Sequence, residues 1–203
     1  MKFLLRAAFF LLLAVGLLAG YYVIADRPSA KALEAARKAL EIQGINPASV
    51  KHLAVVDFDK PSYLHRMVIY KQGSGPKKYL VAHGSKTGGL MARDFSNTVG
   101  SHQSSLGLYR VGQHYLGRHG KSCRLHGLEK GRNDKAFERD IVLHPAWYVD
   151  YKVIKDNILE GEGPRIGRSQ GCPAVSHQVA EEVLAVLTEG SYLYIHADQP
   201  SSD

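Results

Sequence analysis

The chain has 203 residues, of which 45% are hydrophobic and 22% are charged, so it can bury one core of ordinary size but not two large domains. Its net charge of +7 favours anionic partners, but the basic residues are scattered and match no nucleic-acid-binding pattern, so we expect no nucleic-acid partner. Two cysteines, Cys123 and Cys172, exclude a disulfide-dense secreted scaffold.

The first 25 residues contain the clearest local signal. Lys2 and Arg6 precede an uncharged run at residues 7–25, and Asp26 then begins a polar stretch. This order is typical of an export signal, and the run also approaches the length of about 20 residues that spans a bilayer. We predict that residues 1–25 are a signal peptide or an N-terminal membrane anchor. The remaining chain is then exported, to the periplasm or to the outer face of the cytoplasmic membrane.

Residues 26–50 predict an N-terminal helix followed by a linker. The first four of these residues can cap the helix and place a proline in its first turn. The next fourteen residues are mainly Ala, Leu, Glu and Lys, which favour helices, and apolar side chains recur at Leu33, Ala36 and Leu40. We therefore expect the helix to bury one face against the rest of the chain.

We predict that residues 51–198 form the main domain and that residues 199–203 form a short tail. Short runs rich in Val, Ile, Leu and Tyr alternate with turn residues, and they predict strands at 52–58, 64–71, 78–83, 106–111, 122–128, 140–144 and 192–196. Gly-rich segments predict long loops at 84–105 and 161–171, while helical structure is expected at 133–138 and 179–188. This order predicts a mainly β fold of the α+β class. We expect an antiparallel sheet or sandwich with an N-terminal helix and a helix after the second loop.

Cys172 follows the second of these Gly-rich loops, in the run Gly-Arg-Ser-Gln-Gly-Cys-Pro. Gly171 lets a substrate approach the backbone closely, and N–H groups of such a turn can form an oxyanion hole. Arg165 and Arg168 lie upstream and can favour the thiolate. A structural cysteine has little reason to lie in a tight, polar, basic turn. We therefore predict that Cys172 is the nucleophile of an exported cysteine enzyme.

The candidate base for this thiol is His144. It ends an apolar run and precedes Pro145, so the pattern places it at the end of a strand, facing a loop. A partly buried structural role is the alternative for any one of the ten histidines. Cys123, in contrast, lies within a predicted strand, and we expect it to be a buried packing residue.

The two candidate residues lie in motifs that resemble a known family. Residues 167–172 resemble the Ser-x-Gly-Cys signature of L,D-transpeptidase (YkuD-type) catalytic domains, and residues 141–144 resemble the strand that bears their catalytic histidine. The match is closest to the murein L,D-transpeptidase catalytic domain branch, which further segments resemble at 95–97, 100–107, 124–131 and 133–134. The resemblance implies a YkuD-like L,D-transpeptidase catalytic domain at 51–198 that needs no metal and no cofactor.

The resemblance also implies a reaction and a substrate. Cys172 attacks a carbonyl of a peptidoglycan tetrapeptide stem, and His144 accepts the thiol proton. Ser169 is expected to orient the histidine through its backbone carbonyl. The acyl-enzyme forms at the L-centre of the diamino acid and releases the terminal D-Ala. An amine acceptor then completes a cross-link, or water completes a carboxypeptidase reaction.

The chain departs from the better-known branch of the family on both sides of the Gly-Cys pair. Gln170 stands where a histidine is common, and Pro-Ala stands where an arginine usually follows the cysteine. We therefore expect Arg168 or Arg165 to orient the substrate. His83 and His126 are further expected substrate contacts.

Two alternatives remain open from the residues alone. A disulfide between Cys123 and Cys172 would close a loop of about 50 residues and add about 4 kcal/mol of stability, leaving a catalytically silent wall-binding module. A zinc ion held by His83, His126 and His144 would instead make the chain a zinc-dependent amidase, although no His-Glu-x-x-His motif is present.

Overall fold

The structure, a computed structural model, describes residues 2–198, so the tail predicted at 199–203 lies outside the described residues. The helices are α1 (Lys2–Ala25), α2 (Ala30–Ile42), a short 3-10 helix (Pro47–Ser49), α3 (Tyr151–Leu159) and α4 (His177–Val186). The strands are β1 (His52–Asp57), β2 (Met67–Lys71), β3 (Lys77–Tyr79), β4 (Gly107–Gly117), β5 (Gly120–Gly127), β6 (Val142–Pro145), β7 (Ala174–Val175) and β8 (Tyr192–His196).

The strands form one sheet in the order β3-β2-β1-β8-β4-β5-β6-β7. Neighbouring strands are antiparallel except in two pairs, β1 with β8 and β6 with β7. Parallel neighbours require long connections. The chain from β6 passes through α3 before β7, and β8 returns from α4 to insert between β1 and β4. The predicted α+β class is confirmed, and the sheet is mixed because these two late strands join it in parallel.

The helix α2 covers one face of the sheet beside β1, β4 and β8. The Ser29 hydroxyl caps it by accepting a hydrogen bond from the Ala32 N–H at 3.1 Å. Its buried face packs with sheet residues in one apolar cluster, which includes Ala32, Ala36, Leu40, Leu53, Leu108 and Tyr194. The helix begins and ends close to its predicted bounds, and its apolar face is buried as the spacing indicated.

The other face of the sheet holds the larger core and packs against α4. Ala180, Val183 and Leu184 are the buried residues of this helix, and they join a cluster that extends to β4, β5 and β6. Cys123 is fully buried in the same cluster, as expected for a packing residue. Leu143 of β6 and Val175 of β7 belong to this cluster, so the core lies directly beneath these two strands.

The helix α1 is the one described helix long and apolar enough to cross a membrane. Its large apolar side chains from Phe9 to Ile24 are exposed rather than packed against the sheet. An export signal and a membrane anchor both have this length and composition, so the choice between them stays a prediction.

Several elements differ from the expectations. The short strand β7 was not predicted, the strand expected at 78–83 is reduced to β3, and residues 133–138 form turns rather than a helix. The helix α3 was not predicted, although Asp150 caps it by accepting from the Lys152 N–H at 2.7 Å. The strand β4 extends well beyond residue 111, because a bulge between Val111 and His114 lets pairing with β5 continue past a glycine. The resulting long hairpin ends in a two-residue turn, Arg118-His119, which lines the same cleft as His144 and Cys172.

Packing of α2 on the sheet can be tested with a buried and an exposed residue of the same helix. Leu40→Ala removes a fully buried side chain and is expected to lower the free energy of unfolding by about 2–5 kcal/mol. Ile42→Ala truncates a side chain that is 72% exposed and is expected to change it by less than about 0.5 kcal/mol. Urea unfolding followed by circular dichroism measures both. Equal effects of the two substitutions would contradict a packed role for this helix.

Candidate active site

The pairing of β6 with β7 brings Cys172 close to His144. His144 lies in β6 directly opposite Ala174 of β7, and Cys172 is two residues before Ala174. The two side chains line one open cleft of about 540 Å³. The other lining residues come from four separate segments between strands and helices: Ser85, Arg118, His119, Tyr148, Arg168, Ser169 and Gln170.

Cys172 is partly exposed, and its sulfur lies 3.5 Å from the carbonyl oxygen of Asp140. Burial raises the pKa of the thiol above its ordinary value, while the backbone of Val142 and the charges of Arg139 and Arg118 lower it. The burial effect is the larger, so the thiol is protonated at neutral pH. A nucleophilic role for this sulfur therefore requires a base within the cleft.

His144 has the protonation state that a base requires. Its Nδ1 lies 2.9 Å from the carbonyl oxygen of Pro145, which can only accept, so Nδ1 carries the proton of the neutral ring and Nε2 is left as the acceptor. Burial lowers the pKa of His144 to about 4, although the hydrogen bond to Pro145 acts in the opposite direction and raises the pKa. The exposed ring of His119 stacks on it with ring centroids 4.4 Å apart. At neutral pH, His144 is thus uncharged and able to accept a proton.

The turn before Cys172 is held by hydroxyl groups. The Ser169 hydroxyl donates to the Cys172 carbonyl at 2.6 Å and accepts from the Gly171 N–H at 3.1 Å. The Ser104 hydroxyl donates to the Gly171 carbonyl at 3.0 Å. Gly171 has a φ of +119°, and a Cβ there would lie 2.9 Å from the carbonyl oxygen of Gln103. A side chain at this position would therefore both strain the backbone and collide with the 84–105 loop.

The hydrogen bonds of Ser169 and Gly171 differ from the expected ones, in which the Ser169 carbonyl orients His144 and N–H groups of the Gly171 turn form an oxyanion hole. The Ser169 carbonyl accepts from the Ser85 N–H at 2.7 Å, and the carbonyl that orients His144 is that of Pro145. The Gly171 N–H is already bonded to a hydroxyl. Among the described residues, the N–H groups of Gln170 and Cys172 donate to no acceptor, so the Cys172 N–H is one of the donors of this turn that are available to a substrate oxygen.

The arginines near the cleft fall into two groups. Arg168 lines the cleft and donates to the Gly88 carbonyl at 3.0 Å, whereas Arg165 does not line it and pairs with Glu162 at 2.6 Å. Arg118, at the tip of the β4–β5 hairpin, lines the cleft with an exposed guanidinium. Of the two arginines expected to orient a substrate, the fold brings Arg168 to Cys172, and it adds Arg118 from a distant segment.

Arg139 was not anticipated, and no local pattern marks it. Its guanidinium donates to the Ser96 carbonyl at 2.6 Å, to the hydroxyls of Ser105 and Ser101 at 3.0 and 3.2 Å, and to the Gln103 carbonyl. It thereby ties the 84–105 loop to the segment before β6. Its charge also lowers the pKa of the Cys172 thiol. Arg118 had a weak local signal, because Gly-Arg-His-Gly between two strand-like runs is typical of a tight hairpin turn.

His83 and His126 do not line the cleft among the described residues. His83 is buried, with Nδ1 2.6 Å from an Arg66 nitrogen and Nε2 3.1 Å from the Gly88 carbonyl oxygen. Burial, with the Arg66 charge, lowers its pKa to about 3. His126 instead stacks on Phe137, with ring centroids 5.3 Å apart. Both ring nitrogens of His83 are therefore engaged, and it supports the site through its carbonyl, which accepts from the Ser169 N–H at 2.9 Å.

Comparisons with solved structures find distant similarity. An L,D-transpeptidase from Mycobacterium smegmatis has 13% identity and a TM-score of 0.42 over 73% of this chain and 59% of its own. The helical cell shape determining protein Pgp2 from Campylobacter jejuni has 12% identity and a TM-score of 0.46 over 74% and 48%. An L,D-transpeptidase from Stackebrandtia nassauensis has 12% identity and a TM-score of 0.42 over 87% and 82%. The chain thus spans about half to three fifths of the first two of these proteins.

Sequence comparison gives the family. A comparison with curated proteins finds none that matches the chain. A family model described as the L,D-transpeptidase catalytic domain matches residues 25–196, which is most of the chain and includes the segments of both Cys172 and His144. The chain therefore belongs to the L,D-transpeptidase catalytic domain family.

Proposed function

We propose that the chain is an exported, cysteine-dependent peptidoglycan L,D-transpeptidase or L,D-carboxypeptidase. The observation that carries the proposal is the state of His144 in the cleft of the Cys172 thiol: its ring is neutral, and its Nε2 has no hydrogen-bond partner among residues 2–198 and can accept a proton. Family membership supports the substrate class, peptidoglycan stem peptides. The exposed apolar helix α1 supports export, by either a cleaved signal or a retained anchor.

The proposed reaction begins as the Cys172 sulfur attacks the carbonyl at the L-centre of the diamino acid. His144 Nε2 takes the thiol proton and then passes it to the amine of the leaving D-Ala, which leaves a thioester on the sulfur. The Cys172 N–H is the proposed donor to the oxyanion that forms during attack. In the second half, His144 deprotonates an acceptor amine or a water molecule, and the product leaves with the thiol restored.

Substrate binding follows from the cations of the cleft. A stem peptide carries carboxylates. Both Arg118, which precedes His144 in the sequence, and Arg168, which follows it, line the cleft. Arginine is well suited to carboxylates because its planar fork makes two parallel hydrogen bonds. We propose that these two residues hold the donor stem. They would take the place of the arginine that usually follows the cysteine closely in the better-known branch of the family.

The two alternative functions have less support. Both thiols are free, and Cys123 is fully buried within the core, which disfavours a Cys123–Cys172 disulfide and the silent module that depends on it. The zinc amidase requires His83, His126 and His144 to share one ion. His83 has both ring nitrogens engaged and His126 stacks on Phe137, so the donor set does not fit that ion.

The role of the thiol is tested with the two cysteines of the chain. Cys172→Ala is expected to lower D-Ala release from tetrapeptide muropeptides at least about 1000-fold, because it removes the nucleophile while leaving the fold intact. Cys123→Ala truncates a buried side chain and is expected to retain activity within about threefold where the protein remains folded. Mass spectrometry of the products measures release, and cross-linked dimers distinguish transfer from hydrolysis.

Circular dichroism of both variants is the control for folding. Activity that is equal in Cys172→Ala and wild-type protein would contradict the proposed function. Loss of activity in folded Cys123→Ala protein with retention in Cys172→Ala would also contradict it.

The pH dependence tests the state of His144. A base with a pKa of about 4 is neutral above that pH and loses its acceptor as the pH falls through it. We expect kcat/KM for D-Ala release to stay nearly constant from pH 7 down to about 5 and to fall tenfold per pH unit below about 4. An acid limb centred at about 6.5, the pKa of an unperturbed histidine, would contradict the buried neutral base.

A further inference from the structure

A cluster of metal-ligating side chains lies away from the cleft, where the ends of β1 and β8 meet. Asp57 ends β1, Asp59 follows in the next turn, and His196 ends β8, directly opposite Asp57 in the parallel register. One ligand atom from each of the three lies within 4.8 Å of the others. None of the three lines the cleft that contains Cys172.

His196 is the residue that points to a ligand. It is 7% exposed, and its Nε2 is buried with no hydrogen-bond partner among the described residues. A buried nitrogen without a partner costs free energy whether it carries a proton or a lone pair. The carboxylate oxygens nearest to His196 Nε2 are Asp59 Oδ2 at 3.4 Å and Asp198 Oδ1 at 3.7 Å, and neither forms a hydrogen bond with it.

The distance between His196 Nε2 and Asp59 Oδ2 suits two ligands of one metal ion better than the donor and acceptor of a hydrogen bond. Zinc bonds of about 2.0–2.2 Å in tetrahedral geometry separate neighbouring ligand atoms by roughly 3.3 Å. The separation between His196 Nε2 and Asp59 Oδ2 is 3.4 Å. Carboxylate oxygens with one imidazole form a donor set that zinc accepts, and water can complete the coordination.

Backbone hydrogen bonds already hold the carboxylates in place. The Asp59 N–H donates to Asp57 Oδ1 at 3.1 Å, and the Asp198 N–H donates to both Asp59 oxygens at 3.0 and 3.1 Å. The nearby cations have other partners, since Lys31 pairs with Asp198 and the Lys60 ammonium donates to backbone carbonyls. The carboxylates of Asp57 and Asp59 thus face His196 with no ammonium bonded to either of them among the described residues.

We propose that Asp57, Asp59 and His196 bind one divalent transition-metal ion, with Zn²⁺ as the fitting example. The ion would join the ends of β1 and β8 beside Asp198, whose partner Lys31 belongs to α2. Its role is structural, because it would tie the end of the first strand, β1, to the end of the last, β8. The proposal is independent of the chemistry at Cys172.

The test is calorimetric titration of Zn²⁺ into the untagged full-length chain in detergent, with Cys172→Ala as the background so that its thiol does not bind metal. We expect one equivalent to bind and the melting temperature to rise with Zn²⁺. Asp59→Asn and His196→Phe in this background should each weaken binding by about tenfold or more and remove the melting shift. The matched control is Asp156→Asn, which changes a partly exposed aspartate of α3 far from this cluster in the sequence. It should leave both the binding and the melting shift unchanged.

Absence of saturable binding in the background protein would overturn the proposal. Equal binding by the Asp59→Asn protein would overturn it too, because the ion would then lie elsewhere. Asp59 is partly exposed and its substitution is mild, so this variant decides the question even where His196→Phe does not fold.

Discussion

The parallel pairing of β6 with β7 is the constraint on which the candidate active site depends. It places His144 opposite Ala174, and thereby two residues from Cys172 across the strands. A slip of one residue would turn the histidine to the other face of the sheet. Because β7 has only two residues, its register is supported from outside the ladder: the Ala82 N–H donates to the Ala174 carbonyl, and the Ser104 hydroxyl holds Gly171.

Desolvation determines the electrostatics of this arrangement. Burial raises the pKa of the Cys172 thiol and lowers that of His144 to about 4, so each effect favours the uncharged form. The resting pair is therefore a thiol and a neutral imidazole rather than a thiolate and an imidazolium. Arg139 and Arg118 supply positive charge beside the sulfur, where negative charge would develop, without forming an ion pair with it beforehand.

The candidate active site and the proposed metal site each lie at a parallel pair of strands. The β6–β7 pair carries His144 beside the Cys172 turn, and the β1–β8 pair carries Asp57 opposite His196. Parallel pairs join segments that are far apart in the chain, because a long crossover must separate them. Side chains at their ends therefore come from unrelated parts of the sequence, and a site at such a place forms only when the whole sheet has formed.

The amino-acid sequence by itself determined the features that depend on local patterns. The apolar N-terminal segment, the capped α2, and most strands follow from composition, periodicity and turn residues, and Cys172 and His144 stand in contiguous motifs. Only the tertiary structure decided which distant side chains join them. Arg118 reaches the cleft through a hairpin whose length depends on a bulge, Arg139 acts through contacts to a loop about 40 residues earlier, and His83 is excluded because a buried Arg66 occupies its ring nitrogen. These outcomes depend on burial and on contacts between remote segments, which no local pattern encodes.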